Sequence, residues 1–156
     1  MFAAAAAAGL HCVPHAGETT GPQTVWEAIE HLHAERIGHG ISSMADPRLV
    51  AYLRETQLPV DVSPTSNVRT RCVPSLAAHP LPSMLDAGLF VTLNSDDPPM
   101  FGTTLSNEYL VAGREFGLGA AGLAGLAANG VRASFLDDAS KDALLKEITA
   151  VLAAHE

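Results

Sequence analysis

Positive charge is scarce in this sequence. Its 156 residues include 9 lysines and arginines against 17 aspartates and glutamates, which gives a formal net charge of -8. Proteins that bind duplex DNA or RNA neutralise the phosphates with a cationic surface. We therefore expect no nucleic acid among the partners of this protein.

Cysteine is scarcer still. Cys12 and Cys72 lie far apart in the chain and belong to no CxxC pair. This spacing argues against a disulfide framework and against a zinc knuckle built from thiolates. The cysteine content instead predicts a protein of the reducing cytoplasm.

Long apolar runs are missing as well. The alanine-rich stretch at residues 3–8 is too short to cross a membrane and follows no basic segment. We interpret it as part of a helix rather than a signal peptide, and we expect no membrane partner. With 47% hydrophobic and 17% charged residues, the composition is typical of a soluble globular protein with one domain.

The pattern of apolar residues predicts alternating strands and helices. Four short apolar runs are typical of buried strands, at residues 10–14, 36–38, 59–62 and 89–93. Segments typical of helices cover residues 1–8, 22–33, 47–55, 79–87, 103–116, 118–128 and 140–154. Ser140, supported by Asp142, is the predicted N-cap of the last helix. Four strand–helix units in a row predict a parallel sheet covered by helices.

Two parallel architectures fit this order, an open doubly wound sheet and a (β/α)8 barrel. The open sheet often carries a glycine-rich phosphate loop after its first strand, and no GxGxxG or GKS/T loop follows the first predicted strand here. Polar residues that can bind metals follow strand after strand instead, which is where barrel enzymes place their chemistry. The barrel is therefore favoured. Because a whole barrel typically needs about 250 residues, we predict that residues 1–156 form one domain that is half of a barrel.

The first polar cluster joins His15, Gly17 and Glu18. An imidazole at His15 can bind zinc. The carboxyl group of Glu18 can reach the same place across the flexible glycine and can donate or accept a proton there. For this cluster alone, an equally good interpretation is that His15 ends a strand and Glu18 caps the next helix.

Two further clusters follow the second and fourth strands. His39 lies between two glycines and is a candidate general base or orienter of a metal-bound hydroxide, although a lone histidine there is more often a buried structural residue. Asp96 and Asp97 would repel each other at a buried strand end unless a cation compensates. One of these aspartates could bind a metal and the other a ligand. Taken alone, however, the two adjacent aspartates are typical of an ordinary turn.

The positions of these clusters along the chain predict that they form one site. Each lies at the same end of a successive strand, so in a closed barrel they converge on a single cleft. The segment 63–67 is expected either to support that cleft from behind or to cap a helix. The other histidines are expected to be structural or solvent-facing, with His79 also a candidate for the mouth of the cleft: His11, His31, His33, His79 and His155.

Four ordered motifs resemble the adenosine deaminase family. They are His15-Ala16-Gly17-Glu18, Arg36-Ile37-Gly38-His39-Gly40, Ser63-Pro64-Thr65-Ser66-Asn67 and Asn94-Ser95-Asp96-Asp97-Pro98. The likeness continues into residues 132–135 and covers essentially the whole chain. It implies the C-terminal half of a (β/α)8 barrel, with about four parallel strands and additional C-terminal helices.

The resemblance also implies a role for each site residue. His15 and Asp96 would bind Zn²⁺, Glu18 would protonate the purine at N1, and His39 would hold and deprotonate the zinc-bound water. Asp97 would hydrogen-bond N7 of the base, and Gly17 would also contact the substrate. The implied reaction is attack of a zinc-activated hydroxide on C6 of adenosine or 2'-deoxyadenosine, which gives the inosine product and ammonia. The HxE and PCxxC signature of the cytidine-type zinc deaminases is absent.

One departure from the family pattern concerns the zinc ligands. The first barrel strand of the family carries a His-x-His pair, whereas His31 and His33 lie on a predicted helix. A catalytic zinc site normally has three protein ligands, and half a sheet leaves its edges unpaired. We therefore expect a fragment of a longer enzyme that is inactive alone. Its expected partner is the missing N-terminal half, or another chain that covers the sheet edges.

Several alternatives remain open on the sequence alone. Adenine and 6-amino-6-deoxyfutalosine are alternative substrates, and an amidohydrolase acting on a different C–N bond is an alternative enzyme. A non-catalytic remnant that binds a partner through its sheet edges is a third interpretation. Glu18 and Asp97 together favour a purine, because they would address both edges of the ring.

Overall fold

Four parallel strands form the centre of the fold. A computed structural model describes residues 1–154, with strands β1 (His15–Ala16), β2 (Ile37–His39), β3 (Val60–Val62) and β4 (Val91–Leu93). The sheet order is β1-β2-β3-β4, so β1 and β4 form its two edges. All three pairings are parallel. This sequential order is that of a (β/α)8 barrel and confirms the predicted parallel α/β architecture.

Helices connect the strands and continue after the sheet. They are α1 (Phe2–Ala7), α2 (Gln23–Leu32), α3 (Pro47–Thr56), α4 (Pro64–Arg69), α5 (Leu81–Asp86), α6 (Pro98–Phe101), α7 (Leu105–Glu115), α8 (Ala120–Ala133) and α9 (Asp138–Ala153). Short 3-10 helices cover Ile41–Ala45 and Leu76–Ala78. Within residues 1–154, no helix is both long enough and apolar enough to span a bilayer.

Helix α3 illustrates how the sequence fixes these elements. The Asp46 side chain caps its first turn by accepting from the backbone N–H groups of Arg48 and Leu49, and proline occupies the first helical position. Leu49 and Leu53 lie four residues apart on one face and are fully buried. This face packs into a core with side chains from all four strands and from helices α2, α5, α7 and α8: Ala16, Val25, Ala28, Ile37, Val60, Val62, Leu81, Met84, Val91, Leu93, Ala112 and Leu126.

The first strand differs from the prediction. Residues 10–14 were expected to form it, but β1 begins at His15. The segment before β1 still pairs with β2 and the residues just before β2, through its own carbonyl groups. Cys12 accepts from Glu35 N–H and Pro14 accepts from Gly38 N–H, each at 2.9 Å. Pro14 has no N–H to return, which interrupts a regular ladder at that residue.

Two predicted helix boundaries also change. Ser140 was expected to cap the last helix, but α9 is capped by Asp137, whose carboxylate accepts from Ser140 N–H at 3.0 Å. Helix α8 continues to Ala133 rather than ending at Ala128, although Asn129 and Gly130 are poor helix formers. The side chain of Asn129 donates to the carbonyl of Val91 at 2.9 Å, so a contact with β4 holds this part of the helix in place.

Candidate active site

The polar residues predicted to act together lie at the carboxyl edge of the sheet. His15 opens β1 and is paired in register with Gly38, and His39 is the last residue of β2. Asp96 follows shortly after the end of β4. A cleft of about 360 Å³ lies between them, lined by residues of all four strand ends: Val13, His15, Gly38, His39, Asp61, Ser63, Asn94, Ser95, Asp96 and Leu105.

His15 and His39 form the centre of this cleft. Their rings meet edge to face with centroids 4.8 Å apart, His15 on the exposed side and His39 almost fully buried. Gly38 lies directly beside the His15 ring, and a Cβ atom at this position would overlap it. The absence of a side chain at residue 38 is therefore what allows His15 to lie against the sheet.

His39 also faces two carboxylates. Its Nε2 atom is 3.6 Å from Glu18 Oε2 and 3.8 Å from Asp96 Oδ2. Burial is the largest influence on this ring and lowers its pKa below the ordinary 6.5, while the charge of Glu18 acts in the opposite direction and His15 adds to the lowering. A neutral imidazole between two acids can orient a water molecule or exchange a proton with it.

A metal ion could be held at this position by nitrogen and oxygen donors. Ligand atoms of His15, Glu18 and His39 all lie within 4.8 Å of one another. Zn²⁺ prefers such imidazole and carboxylate ligands. The chemistry of the donor set therefore fits zinc, with the exposed His15 ring as the histidine nearest to solvent.

The two aspartates have different surroundings. Asp96 adopts a left-handed backbone conformation with φ of 54°, which is uncommon for a residue other than glycine. Its Oδ2 atom accepts a hydrogen bond of 2.6 Å from the hydroxyl of Ser66, which points it into the cleft. Asp97 is exposed at the start of α6. The adjacent carboxylates are thus separated, one held inside the site and the other free to meet a ligand from solvent.

Gly17 connects His15 with Glu18. Its φ is +66°, and an added Cβ would come within 2.6 Å of the side chains of Ser42 and Val25. Its N–H donates to Thr24 Oγ1 and its carbonyl accepts from Ser42 N–H, both at 3.0 Å. Both backbone polar groups of Gly17 therefore have partners within the chain, and its substrate contact stays a prediction.

Glu18 is half-buried beside a thiol. The Sγ atom of Cys72 lies 3.8 Å from Glu18 Oε1, so one carboxylate oxygen faces the cysteine while the other faces His39. A carboxyl group with one oxygen beside a thiol and the other facing His39 is suited to proton transfer.

The remaining histidines are distributed as follows. His11 stacks on Phe135 and pairs with Glu35 at 2.9 Å, while His31 and His33 are exposed on and after α2. His79 is buried, so it does not line the surface of the cleft, and it hydrogen-bonds Asn67. His155 lies outside the described residues.

Two acids, one buried and one partly buried, were not singled out from the sequence. Glu108 on α7 is fully buried and accepts from Thr65 N–H and from the hydroxyl of Thr103, which anchors the start of helix α4, where Ser66 lies. Asp61 on β3 lines the cleft, accepts from Thr92 and pairs with Arg36 at 3.3 Å. A charged residue inside an apolar strand was the available signal for Asp61.

Comparison with known proteins identifies relatives of this arrangement. The family model for adenosine deaminase matches residues 1–151. Aminodeoxyfutalosine deaminase of Streptomyces coelicolor is 60% identical over 153 residues, which cover 98% of this chain and 40% of that protein. Adenosine deaminase of Klebsiella pneumoniae is 43% identical over 141 residues, which cover 90% of this chain and 42% of that protein.

Solved structures show the same architecture. Adenine deaminase from Arthrobacter aurescens superposes with a TM-score of 0.95 at 44% identity, covering 97% of this chain and 46% of that one. A zinc-bound amidohydrolase from Burkholderia ambifaria gives a TM-score of 0.86 at 29% identity, covering 98% and 45%. The chain therefore spans less than half the length of these relatives, which confirms the predicted half barrel. It belongs to the adenosine deaminase family.

Proposed function

We propose that this chain contributes the C-terminal half of the active site of an enzyme that hydrolyses the 6-amino group of a purine and releases ammonia. The observation that carries the proposal is the convergence of His15, Glu18 and His39 within 4.8 Å, with Asp96 Oδ2 3.8 Å from His39 Nε2. Relatives that are named as deaminases of adenosine and aminodeoxyfutalosine support the same chemistry.

Zn²⁺ is the proposed metal, with His15 and Asp96 as its ligands from this chain. The neighbouring structure with bound zinc and the donor chemistry of the cleft both support this choice. When bound, the ion would make a water molecule more acidic, since zinc lowers the pKa of bound water to about 7. Glu18 and His39 would serve the base and the water, so this chain would supply two ligands. Because a catalytic site normally has three protein ligands, further ligands would come from outside these 156 residues.

The other site residues would bind the attacking water and the purine base and transfer a proton to the base. Glu18 would deliver a proton to N1 of the purine, which makes C6 more susceptible to attack. His39 would hold the attacking water through Nε2, the atom that faces the two carboxylates. Asp97, exposed beside the cleft, would form a hydrogen bond with N7 of the base, as acceptor where N7 carries the proton and as donor where the carboxyl group carries it.

Three purines are candidates for the substrate. The 60% identity to the Streptomyces coelicolor enzyme favours aminodeoxyfutalosine, and adenosine and adenine follow from the other relatives. All three present the same 6-amino group to the residues discussed above. Discrimination among them would depend on contacts beyond the base, and a large share of those contacts would lie outside this chain. The cytoplasmic location inferred from the cysteines stays a prediction.

A fusion protein provides the test. The 156-residue chain would be joined to the part of the Streptomyces coelicolor enzyme that the match leaves uncovered, and this fusion and the chain alone would be loaded with zinc. Ammonia release would be measured with aminodeoxyfutalosine, adenosine and adenine. We expect turnover by the fusion and none by the chain alone. The Glu18→Gln variant of the fusion is the matched control and should lose turnover while it keeps its zinc.

Two results would contradict the proposal. A folded, zinc-loaded fusion that releases ammonia from none of the three purines would refute the assigned chemistry. Robust turnover by the 156-residue chain alone would refute the need for ligands from elsewhere.

A further inference from the structure

Three buried polar side chains form a chain of hydrogen bonds that ends at His39. His79, Asn67 and His39 are 5%, 0% and 3% exposed. His79 Nε2 lies 3.2 Å from Asn67 Oδ1, and Asn67 Nδ2 lies 3.1 Å from His39 Nδ1. At the far end, the backbone N–H of Leu81 donates to His79 Nδ1 at 3.0 Å. We refer to His79 and Asn67 together as the relay.

We propose that the relay fixes the tautomer of His39, so that the neutral ring carries its proton on Nε2 and faces the cleft as a hydrogen-bond donor. His79 and Asn67 are then positioning residues that act through His39. The inference rests on the proposed deaminase function and chooses between two roles for His39, orienter of the attacking water and base toward it.

The direction of the relay follows from the one member that cannot change its role. A backbone N–H only donates, so Nδ1 of His79 has to accept, and in the neutral ring the proton must then be on Nε2. Burial favours the neutral ring, because it lowers the pKa of His79 from 6.5 to about 4. The protonated Nε2 atom donates to the oxygen of Asn67.

Asn67 transmits this direction to His39. With its oxygen facing His79, the amide presents its NH₂ group to His39, and that group only donates. Nδ1 of His39 therefore accepts, and the proton of the neutral ring is on Nε2. A flipped amide would demand a proton on Nδ1 of His79, where it would face the N–H of Leu81. Two buried donors would then oppose each other, which is unfavourable.

The consequence concerns the reacting water. A proton on Nε2 of His39 points toward Glu18 and Asp96, at 3.6 Å and 3.8 Å. In this state His39 donates to the oxygen of the water and orients it, and it does not remove the proton. The proton that leaves the water goes to the carboxylate of Glu18, which then passes it to N1 of the purine. The number of protons balances without a change in the charge of His39.

The tautomers can be read by long-range ¹H–¹⁵N correlation NMR of the full 156-residue chain labelled with ¹⁵N-histidine, and of the fusion protein. At about pH 8, above the ordinary histidine pKa of about 6.5, we expect both His39 and His79 to show a protonated Nε2 and an unprotonated Nδ1. Signals would be assigned from their loss in His39→Gln and His79→Gln. A wild-type His39 with its proton on Nδ1 would overturn the inference.

An isosteric variant reverses the final link. The carboxylate of Asn67→Asp only accepts, so we expect the proton of His39 to move to Nδ1 in this variant. The exposed His31→Gln substitution is the control and should leave both tautomers unchanged. If the tautomer of His39 is the same in Asn67→Asp as in the wild-type chain, the relay does not set it.

Kinetics of the fusion protein distinguish positioning from mere packing. His79→Leu removes the donor to Asn67 and should lower kcat about 10–100-fold with KM changed less than about twofold. His79→Gln keeps an N–H donor near the original Nε2 position and should retain kcat within about threefold of wild type. Equal losses of kcat in the two variants would contradict a positioning role.

The two kinds of measurement also separate this inference from the proposed function. The expected tautomers in a fusion protein that deaminates none of the three purines would support the relay and refute the proposed function. A fusion protein that deaminates a purine while His39 carries its proton on Nδ1 would support the proposed function and refute the relay.

Discussion

Acidification should destabilise this chain through His79. The ring is 5% exposed, and burial lowers its pKa to about 4, against about 6.5 for an unfolded histidine. Between these two values the unfolded chain binds more protons than the folded chain. The free energy of unfolding should therefore fall as the pH drops through about 6.5, and should level off below about 4.

The size of this effect follows from the two pKa values. Linkage gives a loss of about 2 kcal/mol between about pH 7 and about pH 5 from His79 alone. The pKa of His39 is also lowered by burial, so the whole chain should lose more than this amount. A comparison of the wild-type chain with His79→Gln isolates the contribution of His79, because glutamine does not titrate.

Urea unfolding followed by the fluorescence of Trp26, the single tryptophan, measures these free energies. We expect the loss between the two pH values to be smaller in His79→Gln by about 2 kcal/mol. The control His31→Gln, at an exposed position, should retain the full pH dependence of the wild type. If the wild-type chain and His79→Gln lose the same free energy, burial does not hold His79 neutral and the reasoning is wrong.

Three further predictions concern the site and the core. Gly38→Ala should lower the zinc affinity of the fusion protein about 10–100-fold, because the new Cβ displaces the ring of His15, whereas Gly125→Ala, in open space, should leave it unchanged in a chelator competition assay. Ser66→Ala removes the hydroxyl that donates to Asp96, the proposed zinc ligand, and should lower kcat about 10–100-fold in the ammonia assay, and wild-type kcat would contradict this. Leu53→Ala should lower the free energy of unfolding by about 2–5 kcal/mol in urea, and a loss below about 1 kcal/mol would show that the core around Leu53 is loosely packed.

Local sequence patterns were sufficient for the sheet. Short apolar runs separated by helical segments placed four parallel strands in order, and polar residues at the strand ends marked the carboxyl edge where His15, His39 and Asp96 lie. These features depend on the side-chain period and on residues close in the chain. The same pattern placed the first strand too early, because the missing N–H of Pro14 affects pairing rather than apolar periodicity.

The supporting contacts were harder to predict because they join distant parts of the chain. Ser66 and Asp96 are 30 residues apart, and Asn67 and His39 are 28 apart. The sequence leaves two roles open for the segment that contains Ser66 and Asn67, support of the cleft or the cap of a helix, whereas this segment forms helix α4 with both side chains buried. No local period indicates which hydroxyl or amide will face a given carboxylate or imidazole, since the tertiary fold decides it.

The proposed function depends most directly on a single metal ion bound by His15 and Asp96, next to Glu18 and His39. Anomalous diffraction at the zinc edge, from crystals of the zinc-loaded fusion protein, tests this directly. We predict one strong anomalous peak within about 2.0–2.2 Å of a His15 nitrogen and an Asp96 oxygen. A zinc peak that is not bonded to both side chains would contradict the proposed metal site.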